Sequence, residues 1–468
     1  MPVRSLTEAL PAAWTRGEIS VIGLARSGRA VAELLRRAGA DVYASDAGSG
    51  HAVLRAALAL EPLGVTVQHG AHDFTRIARS ALVVASPGVP PDAPSLVAAR
   101  DAGVPIVGEL EVALQFLPGQ RYIAVTGNGK TTTTALVHRL LEGLGYDAVA
   151  AGNIGTPLSE VALRAQQPQW IALETSSFQL HDTPSIAPAV GILTNLSANH
   201  LDRYASVDAY YADKAELFRN ATDHSLWVTN ADDAAVAEMI LGVNGTHLTF
   251  SIAADTADAY YNRSADALVV LGEPLLGRDE LVLLGDHNVA NALAASLAVM
   301  RADGLHALPV ARAKIAEALR SFRALEHRIE PAGTYDGVEW INDSKSTNVA
   351  STLVALKGMR RPTVLLLGGR HKGEPYSALA DEVRRTVRRV IAYGEAGPLI
   401  AADLGDVVAV EQVAAPFDEV LRRARTAAQS GDAVLLSPAC SSYDMFDNYE
   451  ERGRVFKQLA PDTGVAPA

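Results

Sequence analysis

Residues 121–132, which read RYIAVTGNGKTT, decide the fold class of the central part of the chain. The apolar run over 121–125 predicts a β-strand, which passes through a glycine-rich turn into Gly-Lys-Thr and a helix. In this arrangement backbone N–H groups cradle phosphates, the lysine neutralises them and a hydroxyl group reaches Mg²⁺. Ala124 stands where the complete Walker A pattern has glycine, so a chance Gly-Lys-Thr turn is the alternative interpretation.

Short apolar runs alternate with amphipathic helical patterns along almost the whole chain. This alternation, which starts with a strand over 19–23 and a helix over 27–38, predicts an α/β protein with mostly parallel sheets. The alternation of strands and helices starts again at the predicted strands over 121–125 and 338–342. We therefore predict three domains, which would occupy residues 1–117, 118–322 and 323–468.

The composition excludes several classes of function. There are 41 Lys and Arg residues against 53 Asp and Glu residues, and the net charge of −12 disfavours a nucleic-acid binder or a protein held to anionic membranes. The single cysteine, Cys440, cannot form an intrachain disulfide and favours a reducing compartment. No uncharged apolar run approaches the roughly 18 residues of a membrane span, so we expect a cytoplasmic protein without membrane insertion.

Residues 22–28, IGLARSG, follow a predicted strand and open a helix, and Asp46 lies 23 residues beyond Gly23. This spacing nearly matches the dinucleotide-binding fingerprint. Ala25 replaces the middle glycine, however, and its Cβ would keep a pyrophosphate away from the backbone, which disfavours a nicotinamide-dependent oxidoreductase. Amides at a helix N-terminus can still hold a phosphate, so a nucleotide-diphosphate site and an ordinary packed turn both stay open.

Polar side chains follow the predicted strands of the central part. Glu174 ends one strand, and a carboxylate facing bound ATP would most naturally ligate Mg²⁺. His200 follows another strand, but a single histidine is more often structural. Lys214 lies in a predicted helix, where it reads as a solvated charge. The chain has 34 Arg and only 7 Lys, however, so it uses arginine for most generic positive charges and a lysine is more informative. Four of the seven lysines fall within polar clusters: Lys130, Lys214, Lys345 and Lys372.

Further polar clusters follow towards the C-terminus. Asn288 and Asn291 lie three residues apart at a predicted helix start, which suits an adenine edge or a ribose as well as an ordinary N-cap. Polar segments at 342–348 and 368–372 follow predicted strands and indicate an anionic substrate. Cys440 has no activating pattern around it and is interpreted as a packing residue.

In their order along the chain, several segments resemble the motifs of the Mur ligase family: GNIGTPL, ETSSFQL, NHLDRY, DHNVAN, LEHRIE, NDSKSTN and LSPACSSYDMF. The resemblance extends from Gly23 to Phe456, and ETSSFQL and SPACSSYDMF favour the D-glutamate-adding members. It implies an N-terminal Rossmann-like domain that binds a UDP-substrate and a central P-loop ATPase-like domain with a mostly parallel sheet. It also implies a C-terminal Rossmann-like domain that binds the incoming amino acid.

The resemblance also implies an activity. ATP would phosphorylate the carboxylate of UDP-N-acetylmuramoyl-L-alanine to an acyl phosphate, and the amine of D-glutamate would then displace phosphate, in peptidoglycan precursor synthesis. The implied cofactors are ATP and two Mg²⁺ ions, and we expect a monomer.

Carried over residue by residue, the resemblance places ATP at Gly127, Asn128, Gly129, Lys130, Thr131, Thr132, Asn288, Asn291, Arg328, Asp343 and Lys345. It places the UDP-substrate at Arg26, Ser27, Asp46, Gly88 and Asn153, and D-glutamate at Thr347, Lys372, Ser442, Tyr443 and Tyr449. The implied metal ligands are Thr131, Glu174, His200 and Lys214, and the implied catalytic residues are Lys130, Glu174, His200 and Lys214. Lys214 resembles a carbamylated lysine of the family, since a carbamate presents oxygens to Mg²⁺ and an ammonium cannot.

The chain departs from the family pattern at two places. One loop residue is missing between Gly127 and Asn128, and Asn199 stands where the family usually has aspartate. A non-catalytic or impaired relative is therefore one alternative function. Another Mur or folylpolyglutamate-type ligase is a second alternative.

Overall fold

The computed structural model describes residues 4–197, 204 and 206–461. The chain divides into two compact units: Met1–Arg278 with Ala290–Arg320, and Asp279–Val289 with Ser321–Ala468. The described residues form a five-stranded and a nine-stranded sheet in the first unit and a six-stranded sheet in the second. Mostly parallel sheets with helices between the strands confirm the predicted α/β class. The domain boundaries after residues 117 and 322 stay predictions.

The N-terminal part of the first unit consists of α1 (Leu6–Ala9), β1 (Ile19–Ile22), α2 (Arg26–Arg37), β2 (Val42–Asp46), α3 (His51–Leu60), β3 (Thr66–His69), α4 (Phe74–Ile77), β4 (Leu82–Ala85), α5 (Pro94–Asp101), β5 (Ile106–Gly108) and α6 (Glu109–Phe116). Its sheet is parallel throughout, in the order β3-β2-β1-β4-β5. The central strands β1 and β4 are buried along their whole length. They therefore read as the continuous apolar runs ISVI and LVVA.

The next part of the chain comprises β6 (Tyr122–Thr126), α7 (Lys130–Leu144), β7 (Ala148–Gly152), α8 (Leu158–Ala162), β8 (Trp170–Glu174), α9 (Ser177–His181), β9 (Val190–Leu193), α10 (Val207–Ala215), β10 (Leu226–Asn230), α11 (Ala234–Met239), β11 (Thr246–Ser251), β12 (Ala259–Asn262), β13 (Ala267–Val270), β14 (Glu273–Gly277), α12 (Asp286–Ala302) and α13 (Pro309–Ser321). The sheet order is β14-β13-β12-β11-β10-β9-β6-β8-β7. Strands β6 and β8 are buried at every residue, so the sheet has both faces covered around its centre.

The second unit carries β15 (Glu330–Tyr335), β16 (Val338–Asn342), α14 (Val349–Gly358), β17 (Thr363–Gly368), α15 (Ala380–Thr386), β18 (Val387–Tyr393), α16 (Gly397–Leu404), β19 (Val410–Val413), α17 (Phe417–Ala427), β20 (Ala433–Leu436) and α18 (Tyr449–Leu459). Its sheet order is β15-β16-β20-β17-β18-β19, and only β15 runs antiparallel to its neighbour. Short 3-10 helices occur at Glu61–Leu63, Glu216–Phe218, Gly304–Ala307 and Tyr376–Leu379.

Strands β12, β13 and β14 pair antiparallel and were not anticipated from the sequence. Their connections depend on backbone conformations that the residue types only weakly signal. Asp266 has a φ of +47°, and the β13–β14 connection places both Leu271 and Gly272 at positive φ. Two successive residues with positive φ produce the turn whose twist matches an antiparallel hairpin.

Two carboxylates of α6 fasten the end of the N-terminal sheet to the central part of the first unit. The backbone N–H of Ser159 donates to Glu109 Oε1 at 2.6 Å. The backbone N–H and the hydroxyl of Ser185 both donate to Glu111 Oε2, at 2.9 and 2.7 Å. Glu109 is almost fully buried, and its Oε2 atom has no hydrogen-bond partner among the described residues. Burial raises the pKa of Glu109 to about 7, although the hydrogen bond from the backbone N–H of Ser159 opposes the shift.

We predict that Glu109→Gln stabilises the protein above pH 7. The pKa of Glu109 is higher in the folded state than the usual 4.5, so the folded protein retains a proton that the unfolded chain releases. The free energy of unfolding therefore falls as pH rises from about 4.5 through 7, and a glutamine removes this loss. The expected gain is roughly 1–3 kcal/mol at about pH 8 and close to zero at about pH 4.5, measured by denaturant unfolding.

Glu111→Gln is the matched control. The backbone N–H and the hydroxyl of Ser185 both donate to Glu111 Oε2, and the substitution weakens these two hydrogen bonds by removing the negative charge of their acceptor. The control should lose stability at both pH values. An equal effect of Glu109→Gln at the two pH values would contradict the assignment of a protonated buried carboxyl.

Candidate functional site

The connection between β6 and α7 lies at the carboxyl edge of the nine-stranded sheet, where β8 and β9 flank β6. Val125 pairs in register with Glu174 on one side and with Ile192 on the other. The three strand ends therefore lie side by side, and the polar residues that follow them share one edge. This edge is where ligands bind in open parallel sheets.

The turn at residues 127–129, here called the GNG turn, packs closely against the segment that follows β9. Gly127 has a φ of +107°, and a Cβ built there would lie 2.2 Å from Thr194 Oγ1. Thr194 Oγ1 also donates a hydrogen bond to the carbonyl of Asn128 at 2.6 Å. Position 127 therefore requires glycine for both its backbone conformation and its space.

Asn128 is held by side chains that come from the neighbouring strand end. Its backbone N–H donates to Asn195 Oδ1 at 2.9 Å, and its side-chain amide donates to Ser197 Oγ. An N–H group of this turn would have to contact phosphate in the predicted role. In the structure the backbone N–H of Asn128 already donates to the Asn195 side chain.

Helix α7 starts at Lys130, directly after Gly129, so the lysine stands at the helix N-terminus as the sequence predicts. Thr131 and Thr132 are buried in the first turn. Asn291 lies beside the same turn, because its Oδ1 accepts a hydrogen bond from Thr133 Oγ1 at 3.1 Å. The structure thus brings the predicted phosphate residues of the first unit together at one helix start.

Glu174, at the end of β8, is fully buried and only partly satisfied. Its Oε1 accepts a hydrogen bond from Asn153 Nδ2 at 2.7 Å and a longer one from Thr131 Oγ1 at 3.4 Å. Its Oε2 has no hydrogen-bond partner in the described part of the chain. A buried carboxylate oxygen without a donor, next to a threonine hydroxyl, fits a hard cation such as Mg²⁺.

Lys214 is buried in the same region and is not a solvated helix charge. Its side chain projects from α10 towards the end of β6, where Nζ donates to Thr126 Oγ1 at 3.3 Å, and the residue is 2% exposed. Burial lowers its pKa to about 7; the positive charge of Lys130 adds to this shift and Glu174 opposes it. A substantial fraction of Lys214 therefore carries a neutral, nucleophilic amine near neutral pH.

The metal-binding prediction rests on oxygen ligands of mixed type. No group of three or more His, Cys, Asp or Glu side chains within residues 4–197, 204 and 206–461 is placed to hold a metal ion. Thr131 and Glu174 offer oxygens directly, whereas Lys214 would do so only after modification. His200, the fourth predicted ligand, lies outside the described residues, as does Asn199.

A cavity of about 890 Å³ opens where the loops after β1, β2 and β4 meet the loop after β7. The cavity is lined by all five residues predicted for the UDP-substrate: Arg26, Ser27, Asp46, Gly88 and Asn153. The structure therefore assembles this predicted set at one place. The cavity lies within the first unit.

The walls of this cavity are fixed by close backbone packing. A Cβ at position 28 would lie 1.8 Å from the carbonyl of Gly23, so glycine allows α2 to begin directly against the turn after β1. Asp46 accepts hydrogen bonds from the N–H groups of Leu24 and Gly48, each at 2.7 Å. Arg26, which lines the cavity, also donates to the carbonyl of Gly155.

The residues predicted for D-glutamate all lie in the second unit. Lys372 Nζ donates to Thr347 Oγ1 at 3.3 Å, which joins two of them. Ser442 is buried and Tyr443 is exposed. The carbonyl of Tyr449 accepts a hydrogen bond from Ser344 Oγ at 2.8 Å.

Four residues predicted for ATP also belong to the second unit. Asp343 is buried, accepts from Ser437 Oγ at 2.7 Å, and has its pKa raised to about 6 by burial. Lys345 Nζ stands 5.5 Å from the ring centroid of Tyr449. The backbone N–H of Arg328 donates to the carbonyl of Leu325. Asn288 Nδ2 donates to the carbonyl of Leu284 at 2.8 Å.

Sequence reasoning missed two residues of the first-unit site. Gln179 lines the cavity, and its side chain also completes the capping box of α9 with Ser176. Asn195 holds the GNG turn. Both follow the carboxyl end of a strand, which was the available signal. The other residues of the cavity and the turn that Asn195 holds come mostly from other segments of the chain.

Comparison with known protein families gives three matches that together span most of the chain. The Mur ligase MurD-like N-terminal domain matches residues 17–108, the Mur ligase middle domain matches 125–299, and the Mur ligase glutamate ligase domain matches 327–440. The order of the three domains agrees with the order of the sheets along the chain.

Similar proteins match over nearly the full length. A UDP-N-acetylmuramoylalanine–D-glutamate ligase of Koribacter versatilis is 37% identical over 447 residues, which cover 94% of this chain and 96% of that protein. The ligase of the same name from Chromobacterium violaceum is 40% identical over 446 residues, with coverage of 94% and 96%. The crystal structure of MurF from Acinetobacter baumannii covers 98% of this chain and 100% of its own, with a TM-score of 0.61 and 14% identity, and shows the same fold.

No helix in the described part of the chain has the length and apolar character that crossing a membrane requires.

We predict that Lys214→Met stabilises the metal-free protein, most strongly at and below pH 7. The pKa of Lys214 is about 7 in the folded state, below the usual 10.5, so the unfolded chain binds an extra proton between these values. The free energy of unfolding of the wild type therefore rises with pH across this window. The stabilisation by methionine should be of the order of a few kcal/mol at pH 7 and should shrink towards pH 10.

The measurement is denaturant unfolding in CO₂-depleted buffer without Mg²⁺. Lys314→Met, which changes an exposed lysine on α13, serves as the control and should show no comparable trend with pH. A Lys214→Met variant that is less stable than the wild type at pH 7 would contradict the costly burial of this amine.

Proposed function

The chain belongs to the Mur ligase family and is of the MurD type, and we propose that it joins D-glutamate to UDP-N-acetylmuramoyl-L-alanine with ATP in peptidoglycan precursor synthesis. The observation that carries this proposal is the position of Asn153. This residue lines the 890 Å³ cavity and also donates to Glu174 at 2.7 Å. One side chain therefore links a cavity sized for a nucleotide-sugar to the cluster of Glu174, Thr131 and Lys214.

The proposed reaction has two steps with balanced bonds. An oxygen of the substrate carboxylate attacks the γ-phosphorus of ATP, the bond to the bridging oxygen breaks, and ADP leaves. The amine of D-glutamate then attacks the acyl carbon of the acyl phosphate, loses a proton, and inorganic phosphate leaves. In such transfers, positioning and neutralisation of charge contribute more than acid–base groups.

The residues of the first unit have distinct roles in this proposal. Lys130, at the start of α7, neutralises phosphate charge, and the helix N-terminus adds oriented N–H groups. Thr131 and Glu174, with His200 and a modified Lys214, would hold Mg²⁺, for which we propose two sites. When bound, Mg²⁺ supplies further neutralisation of phosphate charge.

We propose that Lys214 carries a carbamate. Its neutral amine, populated because burial lowers the pKa to about 7, adds CO₂ to form N-carboxylysine and releases one proton. This modification exchanges a buried cation for a carboxylate-like group. It therefore turns a residue that repels Mg²⁺ into one that offers it oxygen ligands.

The division of labour among the domains is part of the proposal. Residues 1–117 would bind the UDP moiety and residues 118–322 would bind ATP. Residues 323–468 would bind D-glutamate through Thr347, Lys372, Ser442, Tyr443 and Tyr449. The nucleotide would also use Asn288, Asn291, Arg328, Asp343 and Lys345. A monomer in the cytoplasm stays our prediction for its state and location.

A second candidate function is a ligand-binding relative with impaired turnover. The contact that favours it is the hydrogen bond from the Asn128 backbone N–H to Asn195 Oδ1 at 2.9 Å. This contact removes one donor from the GNG turn, which is one residue shorter than the family pattern. Such a protein would bind the same ligands but would release no phosphate.

The test is phosphate release with UDP-N-acetylmuramoyl-L-alanine, ATP and D-glutamate, in which each component is omitted in turn. We expect release only with all three. Lys130→Ala should abolish release and leave UDP-substrate binding within about twofold in calorimetry, because Lys130 is not among the residues that line the cavity. Release that does not depend on D-glutamate would contradict the proposed acceptor, and binding without release would favour the impaired relative.

We further predict that insertion of Thr between Gly127 and Asn128 strengthens the ATP step. The added residue lengthens the turn, so the backbone N–H of Asn128 can exchange its hydrogen bond to Asn195 Oδ1 for one to phosphate. A hydrogen bond to a charged group contributes roughly 1.5–3 kcal/mol, so turnover or ATP affinity should rise by at least about tenfold. Steady-state kinetics with varied ATP measure the change, and UDP-substrate affinity should stay constant. Unchanged or poorer ATP kinetics would mean that the short turn is already competent.

A further inference from the structure

Asp213, the residue before Lys214 on α10, contacts two other segments at once. Its Oδ1 forms a hydrogen bond with Nδ1 of His181, the last residue of α9, at 2.8 Å. Its Oδ2 accepts a hydrogen bond from Tyr204 Oη, also at 2.8 Å. Both oxygens of the carboxylate are therefore engaged, and the side chain is only 18% exposed.

Tyr204 is wedged between the two helices that Asp213 joins. Its ring stacks on Phe178 of α9, with centroids 5.2 Å apart and planes inclined by 12°. It also meets Tyr210 of α10 edge to face, with centroids 5.2 Å apart. The Tyr210 ring in turn lies 5.0 Å from Lys214 Nζ. A closed ring of contacts therefore connects Asp213 to the neighbouring lysine.

Successive residues of an α-helix project about 100° apart. Asp213 faces α9 and Tyr204, whereas Lys214 faces the end of β6 and reaches Thr126. A rotation of α10 about its axis would move both side chains together. The hydrogen bonds of Asp213 thus fix the rotational position of α10.

We propose that Asp213 is a positioning residue for Lys214: by holding α10 to His181 and Tyr204, it sets the lysine amine at the metal-ligand cluster. This inference rests on the proposed function, because the role of Lys214 belongs to that proposal. Asp213 itself touches no reacting group. Its effect is exerted through the direction in which the next residue points.

The chain makes a direct observation of the lysine practical. It contains 7 lysines, so a protein labelled with ¹³C at lysine Cε has few signals to resolve. The Lys214 signal should be displaced by the ring current of Tyr210, and it is assigned by its loss in Lys214→Arg. In Asp213→Ala we expect the displacement to fall by half or more.

Asp208→Ala is the matched control, because it removes an equal charge from an exposed position on the same helix. It should leave the Lys214 signal in place. Asp213→Asn keeps an acceptor oxygen and should restore part of the displacement. If Asp213→Ala does not fold, His181→Ala removes one contact through a side chain that is 62% exposed, and it should reduce the displacement in the same direction.

Two further readouts distinguish positioning from a general loss of stability. With ¹³C-bicarbonate, the carbamate signal of Asp213→Ala should be about tenfold weaker than that of the wild type, in line with the loss of a charged hydrogen bond. The Mg²⁺ concentration for half-maximal phosphate release should rise about tenfold, with UDP-substrate affinity unchanged.

The outcomes separate the two proposals. A wild type without D-glutamate-dependent phosphate release overturns the proposed function, while the lysine signal still tests the position of Lys214. An undisplaced wild-type signal, or an Asp213→Ala variant with unchanged lysine signal and unchanged Mg²⁺ dependence, overturns the positioning role of Asp213.

Discussion

The buried carboxylate of Glu174 is the constraint on which the site of the first unit depends. Removing an ionised group from water is costly unless its oxygens find donors or a cation. Asn153 satisfies one oxygen, and the other has no partner among the described residues. This second oxygen is itself buried, so its desolvation is not offset by contact with bulk water. A cation bound there would remove the cost, which supports the proposal of a metal site at this edge of the sheet.

Lys214 is the buried cationic counterpart of Glu174, and its charged form is also unfavourable there. Its amine is buried near Lys130, and both burial and the like charge oppose protonation. The proposed carbamate would reverse the charge at this position, which only a neighbouring cation makes favourable. Metal binding and carbamate formation should therefore depend on each other. Glu174 and Lys214 then form one electrostatic unit, in which each buried charged group is unfavourable alone.

Much of the fold could be predicted because buried parallel strands appear as short continuous apolar runs, as in ISVI of β1 and YIAVT of β6. The antiparallel strands β12–β14 could not, since their turns rely on positive φ at Asp266 and Leu271, and leucine rarely adopts it. Lys130 and Glu174 were predicted from their places at a helix start and a strand end. The burial of Lys214 was not, because a lysine on a helix reads as solvated until its surroundings are known. Asn195 and Asp213 contact partners that are distant in sequence. Gln179 lines a cavity that is formed mostly by other segments of the chain.

We propose that Glu174 Oε2, which has no partner among the described residues, faces a bound divalent cation. Anomalous scattering from crystals of the wild-type protein grown with ADP and Mn²⁺ provides the test. We expect an anomalous peak within coordination distance of Glu174 Oε2, with Thr131 Oγ1 as a neighbour. A fully bound nucleotide whose Mn²⁺ lies away from Glu174, or a Glu174 Oε2 that bonds to a protein donor instead, would contradict it.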